Sequence, residues 1–202
     1  YYIDATMCML KDNTLPTFDC TTIKPISKIL LLFLKKYGIV ILENFYPEQI
    51  LNKLISEYHR LLDENKKYIT YTKGDDGEDG EPRLFNAEKY SDYILNFFSK
   101  NELFNNIASN YIKGNITNKK TLINKVIYKD GQKTNSGGGW HRDSHDMQFK
   151  TIMYLSDVTD KNGNFQFITN SSKKYIGFPT PRTHNYNTRY SDDTINDLLK
   201  NN

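Results

Sequence analysis

The sequence has few cysteines, no long apolar run and little net charge, and each of these absences excludes a class of protein. Cys8 and Cys20 are the only cysteines, too few for a disulfide framework, although a single bridge across residues 8–20 stays open. The longest apolar run covers residues 29–34 between lysines, so it is far too short to span a bilayer. The start of the chain is mixed and carries an acid early, which does not predict a signal peptide. We therefore expect an intracellular, cytoplasmic protein with no membrane span.

The charged residues are scattered and nearly balanced. There are 27 basic and 24 acidic residues, which gives a formal net charge of +3. A nucleic-acid surface needs a concentrated basic patch, so we expect no nucleic-acid partner. Aromatic residues are abundant instead: 15 tyrosines and 11 phenylalanines among 202 residues supply much of the surface that a core can bury. The length suits one domain with a sizeable core.

Helical patterns come first along the chain, and strand-like patterns follow. The stretch P-I-S-K-I-L-L-L-F-L-K-K-Y-G, residues 25–38, predicts a helix that begins after the proline and ends at the glycine. A second helix is predicted from Pro47, and further helices between residues 92 and 113. Strands are predicted at residues 38–45, 120–128, 148–158 and 164–169. This order favours an α+β fold, or a β-barrel or sandwich with a helical buttress.

Residues 73–82, K-G-D-D-G-E-D-G-E-P, form an acidic, glycine-rich stretch. Acidic side chains suggest calcium, but their spacing does not match the calcium-binding loop of an EF-hand. The pattern therefore predicts a surface loop.

Two histidines and two aspartates lie within six positions in G-G-G-W-H-R-D-S-H-D, residues 137–146. On an extended segment, residues i and i+2 face the same side, so His141 and Asp143 would present an imidazole and a carboxylate together. These are two of the three protein ligands of a 2-His-1-carboxylate site, which holds Fe(II) and leaves coordination positions open for other ligands. The triplet H-R-D alone is weak evidence for a metal site, since a His–Asp pair is often a structural contact. The third ligand must come from elsewhere in the protein. His145 and Asp146 are interpreted as a hydrogen-bonded pair at the rim.

The sequence on both sides of this cluster resembles a known family. W-H-R-D at residues 140–143 is followed by K-T-I-M-Y-L-S-D-V and by N-G-N-F-Q-F-I-T-N-S-S-K, and G-I-V-I-L-E-N-F-Y-P-E-Q-I stands near the N-terminus. Together these stretches resemble the phytanoyl-CoA dioxygenase-like branch of the Fe(II)/2-oxoglutarate oxygenases. Three turn residues depart from the family's pattern: Asn164 replaces a proline, and in N-S-S-K, where the family has G-S-H-K, Asn170 replaces a glycine and Ser172 a histidine. The family's later stretch, with the distal histidine and the arginine that anchors 2-oxoglutarate, has no counterpart before Asn202.

The resemblance implies a single oxygenase-like domain over residues 1–202. Its core would be a double-stranded β-helix, jelly-roll or cupin-like, with residues 1–118 as a helical buttress and 119–202 as the first half of the core. The C-terminal strands of that core are expected to be lacking in this chain. The implied cofactor is Fe(II), the cosubstrate is 2-oxoglutarate, and the substrate is a small molecule or an acyl compound.

The same resemblance assigns the iron ligands. His141 and Asp143 match the family's metal-binding pair. The third ligand would come from beyond Asn202, or from a partner chain that supplies the missing strands. His184 is a weaker candidate within the chain, because its surroundings are polar and loop-like.

Three further residues are candidates for cosubstrate binding. Lys125 stands between two isoleucines of a predicted strand, where a charge needs a partner, and Thr151 and Met153 share one face of the next strand. The simpler interpretations are a lysine on the strand's outer side and core packing for Met153. Two other functions stay open: a non-catalytic jelly-roll binding module or inactive oxygenase fragment, and a cupin-like metalloenzyme that does not use 2-oxoglutarate.

Overall fold

Helices and short strands are mixed along the part of the chain that the structure describes. The structure is a computed structural model, and it describes residues 15–22, 24–73, 79–116, 119–126, 139–143, 148–159, 164–169, 171 and 189–200. The strands are β1 (Thr17–Asp19), β2 (Ile41–Glu43), β3 (Thr70–Lys73), β4 (Asp79–Phe85) and β5 (Leu122–Asn124). The helices are α1 (Ser27–Tyr37), α2 (Glu48–Glu64), α3 (Asp92–Ile94) with a π-helical continuation over Leu95–Ser99, α4 (Glu102–Ile112) and α5 (Asp192–Lys200); single 3-10 turns occur at Lys66–Tyr68 and Ala87–Lys89. This mixture confirms the predicted α+β class.

The helices α1 and α2 lie where the sequence predicts them. Pro25 precedes the first turn of α1, and the helix ends at Gly38, whose φ of 85° is a left-handed value that glycine adopts without strain. The Gly38 N–H donates to the carbonyl of Leu34 at 2.8 Å and closes the last turn. On α2, Leu54 and Leu61 are buried and the opposite side is exposed, as in an amphipathic helix. Among the described residues, no helix combines the length and apolarity that a membrane span requires.

An antiparallel sheet of β3, β4 and β5 carries the core, and β1 pairs with β2 in a separate parallel pair. In the register of β4 and β5, Leu84 lies opposite Ile123 and Arg83 lies opposite Asn124. Successive residues of a strand face opposite sides. Leu84 and Ile123, which are 0% and 7% exposed, therefore line the core face, and Arg83 and Asn124 lie on the other face.

The main apolar core joins this sheet to the helices. Its buried members come from α2, β4, β5 and the helices between residues 87 and 104: Leu54, Leu61, Leu84, Ala87, Ile94, Phe98, Phe104 and Ile123. Met153 and Leu155, much later in the chain, are half-buried and pack against the same cluster. The core thus connects the helical portion to the segment that follows the W-H-R-D motif.

Some predicted elements differ from the structure. Within the loop predicted at residues 73–82, Lys73 belongs to β3 and residues 79–82 belong to β4, because the pairing of these two strands outweighs an acidic, glycine-rich composition; residues 74–78 lie outside the described residues. The strands predicted at 148–158 and 164–169 form no ladder among the described residues, and neither do residues 125–126 beyond β5. An apolar, β-branched pattern predicts burial, whereas a strand also needs a neighbouring edge with which to pair. The double-stranded β-helix therefore stays a prediction.

A buried carboxylate joins α2 to the start of α3. Glu57, 9% exposed, accepts hydrogen bonds from Arg60 Nη2 at 2.8 Å and from Ser91 Oγ at 2.6 Å. Ser91 also caps α3 by accepting from the N–H of Ile94 at 3.2 Å. The hydrogen bonds from Arg60 and Ser91 lower the pKa of Glu57 from 4.5 to about 2. Because the folded-state pKa is depressed, the charged carboxylate stabilises the fold above pH ~4.5, and that contribution is lost as the pH falls towards ~2.

We expect Glu57→Gln to lower the free energy of unfolding near neutral pH by about 2 kcal/mol, because the amide cannot replace two charge-assisted hydrogen bonds. The deficit should shrink between pH ~4.5 and ~2, where the wild-type carboxylate becomes protonated. Urea denaturation at several pH values measures both effects.

The matched control is Glu64→Gln. Glu64 accepts from the same Arg60 at 2.6 Å, but its side chain is 58% exposed, so its removal should change stability much less. A Glu57→Gln deficit that stays constant from neutral pH down to pH ~3 would contradict the role given to the charge.

Candidate metal centre

The W-H-R-D segment is fixed to the residues just before α5. His141 and Arg189 form an isolated antiparallel bridge, and the Tyr190 N–H donates to the carbonyl of Trp140 at 2.8 Å. Gly139 begins the segment with a φ of 77°. The positive φ favours a glycine at this position, and a Cβ here would lie 3.2 Å from Arg189 Nη1, a tight contact with the end of that side chain.

His141 and Asp143 face each other, as their spacing predicts. His141 Nε2 lies 3.1 Å from Asp143 Oδ1, and His141 Nδ1 lies 2.8 Å from the carbonyl of Gly139. A carbonyl can only accept a hydrogen bond, so Nδ1 carries the proton of that contact. In the neutral ring Nε2 then directs a lone pair at a carboxylate oxygen. Two acceptors at this distance are stable together only when a cation lies with them, either a proton or a metal ion.

Lys150 occupies the other side of Asp143. Its ammonium contacts Asp143 Oδ2, so the two carboxylate oxygens are divided between a histidine and a lysine. The side chains of Lys150 and Asp143 are 40% and 42% exposed, and partial burial lowers the pKa of Lys150. Asp143 Oδ1 is therefore the oxygen presented towards His141 Nε2.

The donor set suits a divalent metal with mixed nitrogen and oxygen ligands. An imidazole whose Nδ1–H is held by a backbone carbonyl is oriented as metal-binding histidines usually are. A third protein ligand is not among the described residues, which contain no group of three or more histidine, cysteine, aspartate or glutamate side chains. His145, Asp146 and His184 lie outside the described residues. His59 is exposed on α2, edge-on to Tyr58 at 5.0 Å between ring centroids.

The three cosubstrate candidates lie in different surroundings. Lys125 is exposed just after β5, and its N–H donates to the carbonyl of Pro82 at 3.2 Å. Thr151 is fully buried, and its hydroxyl has no hydrogen-bond partner among the described residues. Met153 is half-buried against the main core, which agrees with core packing as its simpler interpretation.

Sequence reasoning missed Lys150 and the pairing with residues 189–190. The signal for Lys150 was local, since it is a charged residue at the start of the otherwise uncharged stretch T-I-M-Y-L, where a charge usually needs a partner. Arg189 and Tyr190 carry no such signal, because they act through their backbone. They pair with residues 140–141, about fifty positions earlier in the sequence. Arg142, next to the pair, donates through Nη2 to the carbonyl of Ser171 at 2.8 Å.

Comparison with known proteins settles the family. The family model described as phytanoyl-CoA dioxygenase (PhyH) matches residues 34–198. The chain belongs to the phytanoyl-CoA dioxygenase family. Members of this family are generally Fe(II)- and 2-oxoglutarate-dependent oxygenases with a cupin or jelly-roll fold. This match confirms the family resemblance predicted from the sequence. No curated protein and no solved structure matches the chain.

We expect Gly139→Ala to lower the free energy of unfolding by about 1 kcal/mol, because alanine is strained at a φ of 77° and its Cβ would press on Arg189. Chemical denaturation measures this cost. The control is Gly114→Ala, since a Cβ at Gly114 meets nothing within 4 Å. Equal effects of the two substitutions would show that the backbone at Gly139 is not special.

Proposed function

We propose that this protein is an Fe(II)/2-oxoglutarate-dependent dioxygenase of the phytanoyl-CoA dioxygenase type, which hydroxylates a small-molecule or acyl substrate. The observation that carries the proposal is the pairing of His141 Nε2 and Asp143 Oδ1 at 3.1 Å within a chain of this family. The proposal includes one oxygenase-like domain over residues 1–202. Residues 1–118 would form its helical portion, and 119–202 would contribute strands to a double-stranded β-helix.

His141 and Asp143 would hold the iron together with one more histidine. The candidates for the third ligand are His184, a histidine beyond Asn202 in the natural protein, and a histidine of a partner chain. When bound, Fe(II) would supply the redox chemistry by which O2 oxidises both molecules: one oxygen atom enters succinate as 2-oxoglutarate loses CO2, and the other enters the hydroxylated substrate.

The chain's own residues prepare this pair in two ways. The Gly139 carbonyl accepts from His141 Nδ1–H, which fixes the ring and leaves Nε2 for the metal. Lys150 binds Asp143 Oδ2, which leaves Oδ1 for the metal. The Gly139 carbonyl accepts a hydrogen bond from the imidazole, whereas the Lys150 ammonium donates one to the carboxylate. Each interaction leaves one ligand atom free, Nε2 of His141 or Oδ1 of Asp143, and the two atoms face each other.

Anaerobic Fe(II) binding to the full natural chain, with and without 2-oxoglutarate, is the direct test. We expect tight binding that 2-oxoglutarate strengthens, and a loss of at least about tenfold in affinity for His141→Ala and for Asp143→Asn, since even the loss of an indirect partner costs that much. His59→Ala is the matched control, because His59 is exposed on α2. This variant should bind Fe(II) with the affinity of the wild type.

His184→Ala separates the sources of the third ligand. A comparable loss would assign His184, and an unchanged affinity would assign a histidine elsewhere. Metal binding without any effect of 2-oxoglutarate would instead indicate a cupin-like metalloenzyme. The absence of binding in the full natural chain would indicate a non-catalytic jelly-roll module or an inactive oxygenase.

Lys150 is also the better placed of two lysines to receive the cosubstrate. 2-Oxoglutarate is a dianion at neutral pH, so its binding site needs a cation near the metal. The Lys150 ammonium is already in contact with Asp143, whereas Lys125 is exposed beyond the end of β5. We therefore infer that Lys150 contacts a carboxylate of 2-oxoglutarate in the loaded enzyme.

We expect Lys150→Met to reduce the strengthening of metal binding by 2-oxoglutarate by about tenfold, as expected for a charged hydrogen bond. Binding of the metal alone should change much less, because the loss of a positive charge beside the site favours the metal and the loss of the restraint on Asp143 disfavours it. Titration of Mn(II), followed by its EPR signal with and without 2-oxoglutarate, measures both. Lys125→Met should change neither quantity, and the reverse pattern would transfer the role to Lys125.

A further inference from the structure

The outward face of α1 combines exposed aliphatic side chains with lysines. Ile29 and Leu32 are 41% and 63% exposed, and Ile26, just before the helix, is 56% exposed. The remaining exposed residues of α1 are Lys28, Lys35 and Lys36. Residues 28, 29, 32, 35 and 36 recur at helical spacing, so they form one continuous face. We call this set, together with Ile26, the α1 face.

The opposite side of α1 is well packed, so the exposure of the α1 face is not due to a poorly attached helix. Leu30 is 2% exposed, and α1 packs against α4. Phe33 lies edge-on to Phe18 at 5.3 Å and stacks on Tyr37 at 6.0 Å between ring centroids. The helix therefore has a conventional buried side, and its second apolar set faces outward.

The α1 face is also unusual in its charge. The helix contains three lysines and no acidic residue, whereas exposed helix faces commonly mix the two signs. The family match begins at residue 34, so Ile26, Ile29 and Leu32 precede the part of the chain that the family accounts for. Isolated exposed aliphatic residues need no explanation, but three within two helical turns among lysines do.

We propose that the α1 face docks the protein onto the surface of an anionic lipid bilayer. The aliphatic side chains enter the boundary between headgroups and acyl chains, and the lysines extend their ammonium groups to the lipid phosphates and carboxylates. This is peripheral attachment through one helix side, and it does not depend on the proposed iron chemistry.

A bilayer fits the α1 face better than a protein partner does. A stable protein interface usually takes about 20–30 residues from each side, and this face offers three aliphatic residues and three lysines on a convex helix. A bilayer needs no complementary groove, and each lysine near an anionic surface strengthens attachment roughly fivefold. The expected attachment is weak, reversible and sensitive to salt.

Sedimentation of the full natural chain with phosphatidylcholine vesicles, with and without one third phosphatidylserine, tests the proposal. We expect binding to the anionic vesicles at least about tenfold stronger than to the neutral ones, and its loss in high salt. The double variant Ile29→Ser/Leu32→Ser should weaken binding at least about tenfold, and Lys28→Gln/Lys35→Gln should weaken it by about the same factor.

Val126→Ser and Lys125→Gln provide matched controls. Val126 is 51% exposed and follows exposed Lys125 after β5, outside the α1 face, so these changes should leave vesicle binding as in the wild type. All variants should unfold close to the midpoint of the wild type, because every replaced side chain is already exposed.

Three outcomes would overturn the proposal. Equal binding to neutral and anionic vesicles, or none to either, removes the anionic bilayer as partner. A lowered unfolding midpoint for Ile29→Ser/Leu32→Ser, without vesicle binding by the wild type, would mean that another part of the natural chain covers the face. A concentration-dependent dimer that the same variant abolishes would mean that a second copy covers it.

Discussion

The pairing of Leu84 with Ile123 is the contact on which the arrangement of the other parts depends. These two residues bring β4 and β5 together and turn one sheet face towards Leu54 and Leu61 of α2. Leu84 is fully buried and Ile123 is 7% exposed, and loss of a side chain such as Leu84 would cost several kcal/mol, typically ~2–5. Met153 packs on the same cluster, so the segment that contains the site's lysine is held by the core as well as by the contact of Lys150 with Asp143.

The candidate metal centre depends on a balance of charges around one carboxylate. Asp143 faces a histidine nitrogen through one oxygen and a lysine ammonium through the other. Both Asp143 and Lys150 are about 40% exposed, so water screens their attraction and the ion pair alone adds little stability. The consequence of this ion pair is geometric. Because Lys150 holds Oδ2, the carboxylate cannot turn freely, and Oδ1 stays directed towards His141. This is why Lys150 belongs with the site even though it is not a metal ligand.

The sequence predicted the features that local patterns specify. The period and boundary residues predicted α1 and α2, and the spacing of His141 and Asp143 predicted that their side chains meet. Features that depend on a particular pairing partner were missed. Residues 79–82 pair with β3 in spite of a loop-like composition, and the contact of Lys150 with Asp143, seven positions away, does not follow from the two-residue period of a strand. At residues 148–158 and 164–169 the sequence predicted strands that the described residues do not form. An apolar alternating pattern predicts burial, but it does not predict a neighbouring strand with which to pair.

The third ligand decides what the pair of His141 and Asp143 can do. A single imidazole and a single carboxylate form a weak, open site that many divalent ions would occupy, since affinity alone does not select iron. A second imidazole on the same side raises affinity for nitrogen-preferring ions and limits the free positions to those that a chelating cosubstrate and oxygen need. The Gly139 carbonyl already restrains the His141 ring, and Lys150 restrains the Asp143 carboxylate. These two side chains would therefore lose little conformational entropy when a third ligand completes the metal site. Preorganisation of this kind favours binding of the complete set over any partial one.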